Sequence, residues 1–373
     1  MSTPVEKKEE VTLSIAGQVH NEWLGLSVDS DLKTPADAFE FSIGSRNKIK
    51  LNADVRKGAR FEVRIDGEVV MRGRLDDRIH KLSRFGGAKT HEVTLAGRDD
   101  CATLVDCSAP IKTVQKLNLM QVIERYIKPL GITQVKFIGD KQYTHEKVST
   151  EPCETAWELL AKTCEANGVA AWFDPSGVLM VGGPDYDAPP VAVLREKFDD
   201  NLTNVEGIEE RDTIRGVYSE ITVLGQSQGG AKGKGKNQLK SQAKDPNIEW
   251  YRPKVVVDSD CQDAAVAGTR AKKLMADGRL EGYTLTVWVK GFYTEGGVLW
   301  NPGQRVECEF DSLDTHAVFF LMSRKFYQAR GGSGKYTVLT IKEDKMWVLE
   351  AKKPKGKGGK ARKVRKSIEK DLK

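Results

Sequence analysis

A run of Gly and Lys residues from Gly230 to Asn237 comes closer to a nucleotide-binding motif than any other segment of this chain. A phosphate-binding P-loop surrounds phosphates with backbone N–H groups, and it needs Ser or Thr after its Lys to bind magnesium. Asn237 stands at that position, and no helix signal follows whose N-terminus would face the phosphates. The run is therefore interpreted as a solvated loop over residues 228–242.

Histidine and acidic side chains do not form a metal-binding or catalytic pattern either. The five His residues lack the spacing of a zinc site, so no metal and no cofactor are predicted. Glycosidases need two carboxylates that face one sugar ring, whereas sequence neighbours on a strand point to opposite faces. The chain is therefore not predicted to be an enzyme. Four acidic pairs are interpreted as turn or surface positions: Asp76-Asp77, Asp99-Asp100, Asp199-Asp200 and Glu209-Glu210.

The basic C-terminal tail is the remaining candidate site. The chain has a formal charge of +6, but residues 351–373 hold eleven Lys or Arg and two acids, against 48 basic and 51 acidic residues elsewhere. Such a run can bind nucleic-acid phosphates, dock on an acidic partner or keep the protein soluble, and these alternatives stay open. No aromatic residue follows Trp347, which disfavours base stacking. The candidate contact residues are Lys352, Lys353, Lys355, Lys357, Lys360, Arg362, Lys363, Arg365 and Lys366.

The elements that precede the tail begin with strands. Period-two alternation predicts several short strands in residues 11–106, and Asp66-Gly67 between two of them predicts a hairpin. Short strands separated by turns favour a small β-barrel domain. Residues 1–10 are polar, so we expect them to be disordered and not to be a secretory signal.

The pattern changes to an α+β module over residues 107–196. Apolar residues at helical spacing predict a helix around Leu119 that Gly131 ends. A second helix is predicted to open at Pro152, and two short strands follow it.

A second β-barrel domain is predicted over residues 197–350, with an inserted helix around Ala264 that Gly278 stops. Residues 351–373 contain almost no apolar side chains, so we expect them to be disordered. The predicted fold class is thus α+β and mainly β, with two similar small β-barrel domains flanking an α+β module.

Composition limits the class of protein. A length of 373 residues suggests two or three domains, and no apolar run is long enough to predict a membrane span. The six cysteines form no Cys-x-x-Cys pair, which indicates reduced thiols in a protein made in a cytoplasm.

The two β regions repeat one pattern. Residues 58–100 begin Gly-Ala-Arg-Phe-Glu-Val and residues 303–344 begin Gly-Gln-Arg-Val-Glu-Cys. In both, a basic segment, a Gly-Gly turn at Gly86 or Gly331, and an alternating strand follow in the same order. One chain therefore carries two copies of one β unit, which lets a near-symmetric ring form from half as many subunits.

Several segments, in this order and spacing between residues 11 and 347, resemble the Mu-like baseplate hub family. That family belongs to a wider one of phage tail hubs, late control protein D and type VI secretion spikes. The segments are Glu22-Trp23-Leu24 with Phe39-Glu40-Phe41, Ala96-Gly97-Arg98-Asp99 with Leu104-Val105-Asp106-Cys107, Ala156 to Val181, Tyr251-Arg252-Pro253, and Gly297-Val298-Leu299-Trp300-Asn301-Pro302.

The resemblance implies a structural protein of the virion: a homotrimeric ring in a contractile tail that joins the sixfold tail tube to the threefold central spike. Its implied partners are the tube protein, the spike and other baseplate proteins, with contact to phage DNA or the tape-measure protein. Because DNA must slide through such a ring, we expect acidic residues to line its channel. Two other hypotheses are a non-structural nucleic-acid-binding protein that uses the basic tail, and a tail-associated cell-wall hydrolase.

Overall fold

The N-terminal region is built from antiparallel strands. The computed structural model describes residues 8–20, 23–45, 49–84, 87, 89–138, 144–166, 169–226, 238–258, 264–328 and 334–347. Apolar side chains in the first strands alternate between buried and half-exposed positions, as the period-two pattern predicts. The strands are β1 (Val11–Ile15), β2 (Gln18–His20), β3 (Gly25–Asp31), β4 (Ala38–Ser45), β5 (Arg60–Ile65), β6 (Glu68–Ser83) and β7 (Thr90–Asp99).

The predicted Asp66-Gly67 hairpin joins β5 to β6. Asp66 has φ 47° and Gly67 has φ 83°, and two consecutive positive φ values are what a two-residue hairpin turn requires. The Asp66 carboxylate also accepts hydrogen bonds from the backbone N–H groups of Glu9 and Glu10, at 3.0 and 2.9 Å. Residues 8–10, which the sequence predicts to be disordered, are thereby attached to this turn.

The middle of the chain forms the predicted α+β module with its own core. Its elements are α1 (Cys101–Asp106), β8 (Thr113–Asn118), α2 (Leu119–Val122), β9 (Val135–Phe137), β10 (Thr144–Ser149), α3 (Ala156–Ala166), β11 (Ala170–Phe173) and β12 (Leu179–Gly182). The helix at Leu119 continues as a π-helical turn over Ile123–Ile127 and a 3₁₀ turn over Lys128–Leu130. Gly131, with φ 93°, ends it.

The second helix of this module begins later than the sequence predicts. α3 starts at Ala156 rather than at Pro152, because Thr155 and Glu158 form a capping box. The Glu158 backbone N–H donates to the Thr155 hydroxyl at 3.1 Å, and the Thr155 backbone N–H donates to the Glu158 carboxylate at 2.8 Å.

The C-terminal half contains a second set of strands and an insertion. Its elements are β13 (Val193–Glu196), β14 (Gly207–Asp212), β15 (Glu220–Gln226), β16 (Gln238–Lys244), β17 (Pro253–Val257), α4 (Ala264–Gly282), β18 (Tyr283–Lys290), β19 (Arg305–Phe310), β20 (Thr315–Gln328) and β21 (Lys335–Glu343). Strands β15–β17 form a separate three-stranded sheet, and α4 packs on it through Ala267, Ala271 and Met275. The insertion therefore comprises three strands as well as the predicted helix. None of the helices in the described part of the chain is long and apolar enough to cross a membrane.

Helix α4 continues past the residue predicted to stop it. Gly278 lies inside the helix, where a Cβ atom would come within 2.4 Å of the backbone oxygen of Gly216. The glycine at this position permits a close approach of helix and loop, and the helix ends at Gly282 instead.

The two β regions share one sheet. Among the described strands the sheet has thirteen members. Eleven of them follow the order β14-β18-β21-β20-β3-β4-β7-β6-β5-β1-β2. The other two are β19, which pairs with the half of β20 that β3 does not reach, and β13, which pairs with β19. The junction is antiparallel pairing of β3 with β20, in which Val28 lies opposite Phe326. One core contains side chains of both regions, including Phe41, Val63, Val306 and Leu321. The path through these strands is open, so it does not demonstrate the two predicted barrels.

The same strand order occurs twice in this sheet. β3-β4-β7-β6-β5 in the first region corresponds to β14-β18-β21-β20-β19 in the second. β6 has a bulge between Leu75 and Asp77, and β20 has one between Leu321 and Ser323. A shared strand order with a bulge at the same place is the structural form of the repeat seen in the sequence.

Candidate functional site

The Gly-Lys run lies outside the described residues, but strands bound it on both sides. β15 and β16 pair antiparallel, with Gln226 opposite Gln238, so the run connects two strands of a hairpin. β16 begins inside the predicted loop 228–242. A P-loop is followed by a helix, whereas this run is followed by a strand.

A motif that the sequence analysis missed overlaps the start of this run. Gly225-Gln226-Ser227-Gln228-Gly229 has the Gly-x-Ser-x-Gly spacing of a hydrolase nucleophile elbow. The elbow places its Ser between a strand and a helix. The next described element after β15 is the strand β16, which pairs with β15, rather than a helix, and Ser227 itself lies outside the described residues.

Most described members of the acidic pairs contact basic side chains or lie on the surface. The Asp76 carboxylate accepts a hydrogen bond from Arg98 at 2.7 Å, and Asp100 pairs with Arg60. In β14 both Glu209 and Glu210 are exposed. These contacts agree with the surface and turn positions predicted for the pairs, with one exception. Asp99 is only 8 % exposed, because it falls on the inward-facing side of β7, so the surface position predicted for it is wrong.

One acidic and histidine cluster on the surface was not visible as a sequence motif. The side chains of Glu307, Glu309 and His316 lie with possible ligand atoms within 4.8 Å of one another, because β19 and β20 pair with Glu309 opposite His316. The Lys197 ammonium lies 3.3 Å from the Glu309 carboxylate. A cation at this position would therefore compete with an ammonium that already neutralises part of the site.

A buried arginine lies where the two halves of the sheet meet. Arg324 in β20 is 1 % exposed, and its guanidinium donates to the backbone carbonyls of Val28 at 3.0 Å and Val70 at 3.4 Å. It also stacks on the Phe326 ring at 4.1 Å. Arg324 thus ties β20 to backbone of both β3 and β6. The sequence signal for it was the shared basic segment of the repeat, in which Arg78 and Arg324 take matching places.

Carboxyl groups surround this arginine. Burial lowers the pKa of Arg324 to about 10, although the negative charges of Asp37 and Asp29 act to raise it. Burial also raises the pKa of Asp37 from 3.8 to about 6, with hydrogen bonds from Ser30 and Asp31 acting in the other direction. The pKa of Asp99 is raised well above its ordinary value by burial and by the neighbouring Asp37. The cluster joins the two halves of the sheet, and the hollow that adjoins it among the described residues measures about 20 Å³, which is about the size of one water molecule.

Among the strand edges of the described sheet that remain available for pairing are those of β14 and of the second half of β6. β14 is one of the two terminal strands of the sheet path and pairs only with β18. In β6, the residues after the bulge pair with β7 on one side, while β5 covers only the segment from Glu68 to Arg74 on the other. Exposed edges with unpaired backbone groups favour addition of another strand. The predicted basic tail, from Lys352 to Lys366, lies outside the described residues.

Four family models match successive parts of the chain. They describe the N-terminal domain of Mu phage baseplate assembly protein GpP-like proteins (residues 10–99), the second domain of baseplate hub protein gp44-like proteins (101–183), the third domain of tail protein NMB1110-like proteins (217–275) and a tail protein C-terminal domain (277–346). The third match coincides with the inserted sheet and α4, which have their own core.

Individual relatives extend over most of the chain. The tail protein from Neisseria meningitidis MC58 is 37% identical, with 91% of this chain and 97% of that chain covered and a TM-score of 0.80. The baseplate hub protein gp44 of Escherichia phage Mu is 25% identical over 324 residues, or 84% of this chain and 82% of the relative. The 43 kDa tail protein of prophage MuSo2 from Shewanella oneidensis has the same fold, with 23% identity, 90% and 99% coverage and a TM-score of 0.79.

The relatives are structural tail and baseplate components, and their location in the virion tail extends to this chain by homology. The domain models follow one another in the order expected for such a protein. With 37% identity to a tail protein over nearly the whole of both chains, this chain belongs to the Mu-like baseplate hub family of phage tail proteins.

Proposed function

We propose that this chain forms the trimeric hub of a contractile phage baseplate, a ring that joins the sixfold tail tube to the threefold central spike and leaves a channel for DNA. The observation that carries the proposal is the strand order that occurs twice in one sheet. Three chains with two such units each present six similar units, which suit a hexameric tube end. Cyclic symmetry closes a ring of this kind through head-to-tail contacts.

The parts of the chain that are not repeated give the trimer its threefold surfaces. The α+β module and the β15–β17 sheet with α4 have separate cores and interrupt the two repeated units. In a trimer they are present three times rather than six. These parts are therefore the surfaces we assign to the spike and to other baseplate proteins, while the repeated units face the tube protein.

Mass measurement and imaging of the purified protein test the proposal. Light scattering should give a species near three times the monomer mass of 41.4 kDa. Electron microscopy of that species should show a ring with a central opening and six similar densities on one face. A ring with a different copy number, or a protein that stays monomeric at all concentrations, would refute the trimeric hub.

A further inference from the structure

The junction between the two sheet halves shows how one repeated unit binds the next. β3 of the first unit pairs antiparallel with β20 of the second, over Ser323–Gln328 and Leu26–Asp31. The pairing begins directly after the bulge of β20 and covers the edge that β19 leaves open. In the paired part of β20, Arg324 and Phe326 are buried, Lys325 is exposed, and the other three residues are half-buried.

The matching edge of the first unit is uncovered. Asp77–Ser83 of β6 follow a bulge at the same place as the bulge in β20, and Arg78 takes the position of Arg324. Within one chain this segment is exposed, and it includes Ile79 at 54% and Leu82 at 69% exposure. Ile79 and Leu82 lie on opposite faces of this edge segment, and a strand that pairs with its open backbone edge would place side chains beside both of them.

The matching partner strand is also uncovered. β14 stands to β18 as β3 stands to β4, so Ile208 corresponds to Leu26 and Glu210 to Val28. The far edge of β14 is one of the two ends of the described sheet path. Its exposed side chains are largely acidic, with Glu209, Glu210 and Asp212.

We propose that β14 of one copy pairs antiparallel with the segment Asp77–Ser83 of β6 in a second copy of this chain, in the register of the β3–β20 junction. Strand pairing of this kind joins chains through backbone hydrogen bonds, and opposed side chains set the register. The inference rests on the proposed ring for the number of copies. Three such contacts between chains would then alternate with the three β3–β20 junctions within chains.

Charge complementarity supports this register. Transferring the β3–β20 pairs to the second copy places Arg78 opposite Asp212, His80 opposite Glu210 and Lys81 opposite Glu209. Ile79 falls opposite Arg211, whose aliphatic stem can cover it. Leu82 then lies opposite Ile208, an apolar pair.

A register shift of one residue in either direction leaves only one charged pair instead of three. In one direction Arg78 would face Arg211, and in the other His80 would face Arg211. A one-residue shift also moves every side chain of the strand to the opposite face of the sheet. The register of the internal junction is therefore the one that the charges of both edges favour.

Cysteine cross-linking of the full chain tests the proposal. Directly opposed residues in antiparallel strands lie at Cα separations of about 4.5 to 5.5 Å, within the range that a disulfide spans. The variant Lys81→Cys with Glu209→Cys should give covalent dimers and trimers under mild oxidation. Mixed single variants should give dimers only. The matched control, Lys81→Cys with Glu210→Cys, places the thiols on opposite faces and should give no ladder, and neither should the unmodified chain.

A charge exchange provides a second readout that leaves the buried core untouched. Lys81→Glu should weaken association by about 1.5- to 5-fold per contact, and adding Glu209→Lys should restore it. Both side chains are exposed, so the variants should fold normally.

The outcomes separate the interface from the ring. A reducible ladder in the matched variant but not in the control supports the proposed pairing. A species of trimer mass without that ladder overturns the pairing and leaves the trimeric hub standing. A monomer at every concentration, with no ladder, overturns both.

Discussion

Asp37 provides a test of the carboxyl cluster that joins the two sheet halves. This carboxyl accepts a hydrogen bond from the backbone N–H of Asp31 at 2.8 Å and lies in the field of Arg324. Asp37→Asn keeps the accepting oxygen and removes the charge. The substitution therefore imitates the protonated acid, and it isolates the free-energy cost of ionising Asp37 in the folded chain.

The expected effect depends on pH. Burial raises the pKa of Asp37 from 3.8 to about 6, so the folded protein holds a proton that the unfolded chain has released between these pH values. The free energy of unfolding accordingly falls as the pH rises through this range and stays lower above it. The full shift corresponds to about 3 kcal/mol, and partial exposure to solvent reduces the expected effect to about 2 kcal/mol.

Urea unfolding of both proteins at pH 8 and pH 4 measures this difference. Asp37→Asn should increase the free energy of unfolding by about 2 kcal/mol at pH 8 and leave it nearly unchanged at pH 4. Asp54→Asn, at an exposed loop position, is the matched control and should have little effect at either pH. A loss of stability at pH 8 would refute the reasoning, because it would show that Arg324 stabilises ionised Asp37 by more than burial costs.

Three further predictions concern packing, the tail and the channel. Gly278→Ala should destabilise the chain by about 1–3 kcal/mol in thermal unfolding, since its Cβ would meet the Gly216 oxygen. Gly268→Ala in the same helix has room and should stabilise it by about 0.5–1 kcal/mol, so equal effects would contradict the packing argument. Deletion of residues 351–373, including Lys352 to Lys366, should leave the trimer mass intact but alter tail assembly or DNA ejection, and loss of the trimer would show a structural role. An experimental structure of the ring should show a negative bore lined by acidic residues, and a strongly positive bore would exclude the proposed channel surface.

Local pattern in the sequence determined much of the secondary structure. Alternation of apolar residues predicted strands such as β1, β5 and β7, because each strand buries every second side chain. Asp66-Gly67 predicted its hairpin, since few residue pairs accept two positive φ values. The spacing of shared features also showed that the chain carries two copies of one β unit.

Helix ends were predicted less well. Pro152 and Gly278 are typical boundary residues, yet the capping box at Thr155 starts α3 and a close backbone contact explains Gly278. Both outcomes depend on neighbours that the local pattern does not specify.

The resemblance to baseplate hubs indicated the functional class, because the residues alone left three hypotheses open.

Only the tertiary structure decided how the two β units meet. The pairing of β3 with β20 joins residues nearly 300 positions apart, such as Val28 and Phe326. It turns a charged residue, Arg324, into a buried one and leaves the edges of β6 and β14 open. Periodicity shows which face of a strand is buried, but which strands become neighbours depends on the packing of the whole core. The open edges of β6 and β14, which form the proposed assembly surface, are a result of that packing.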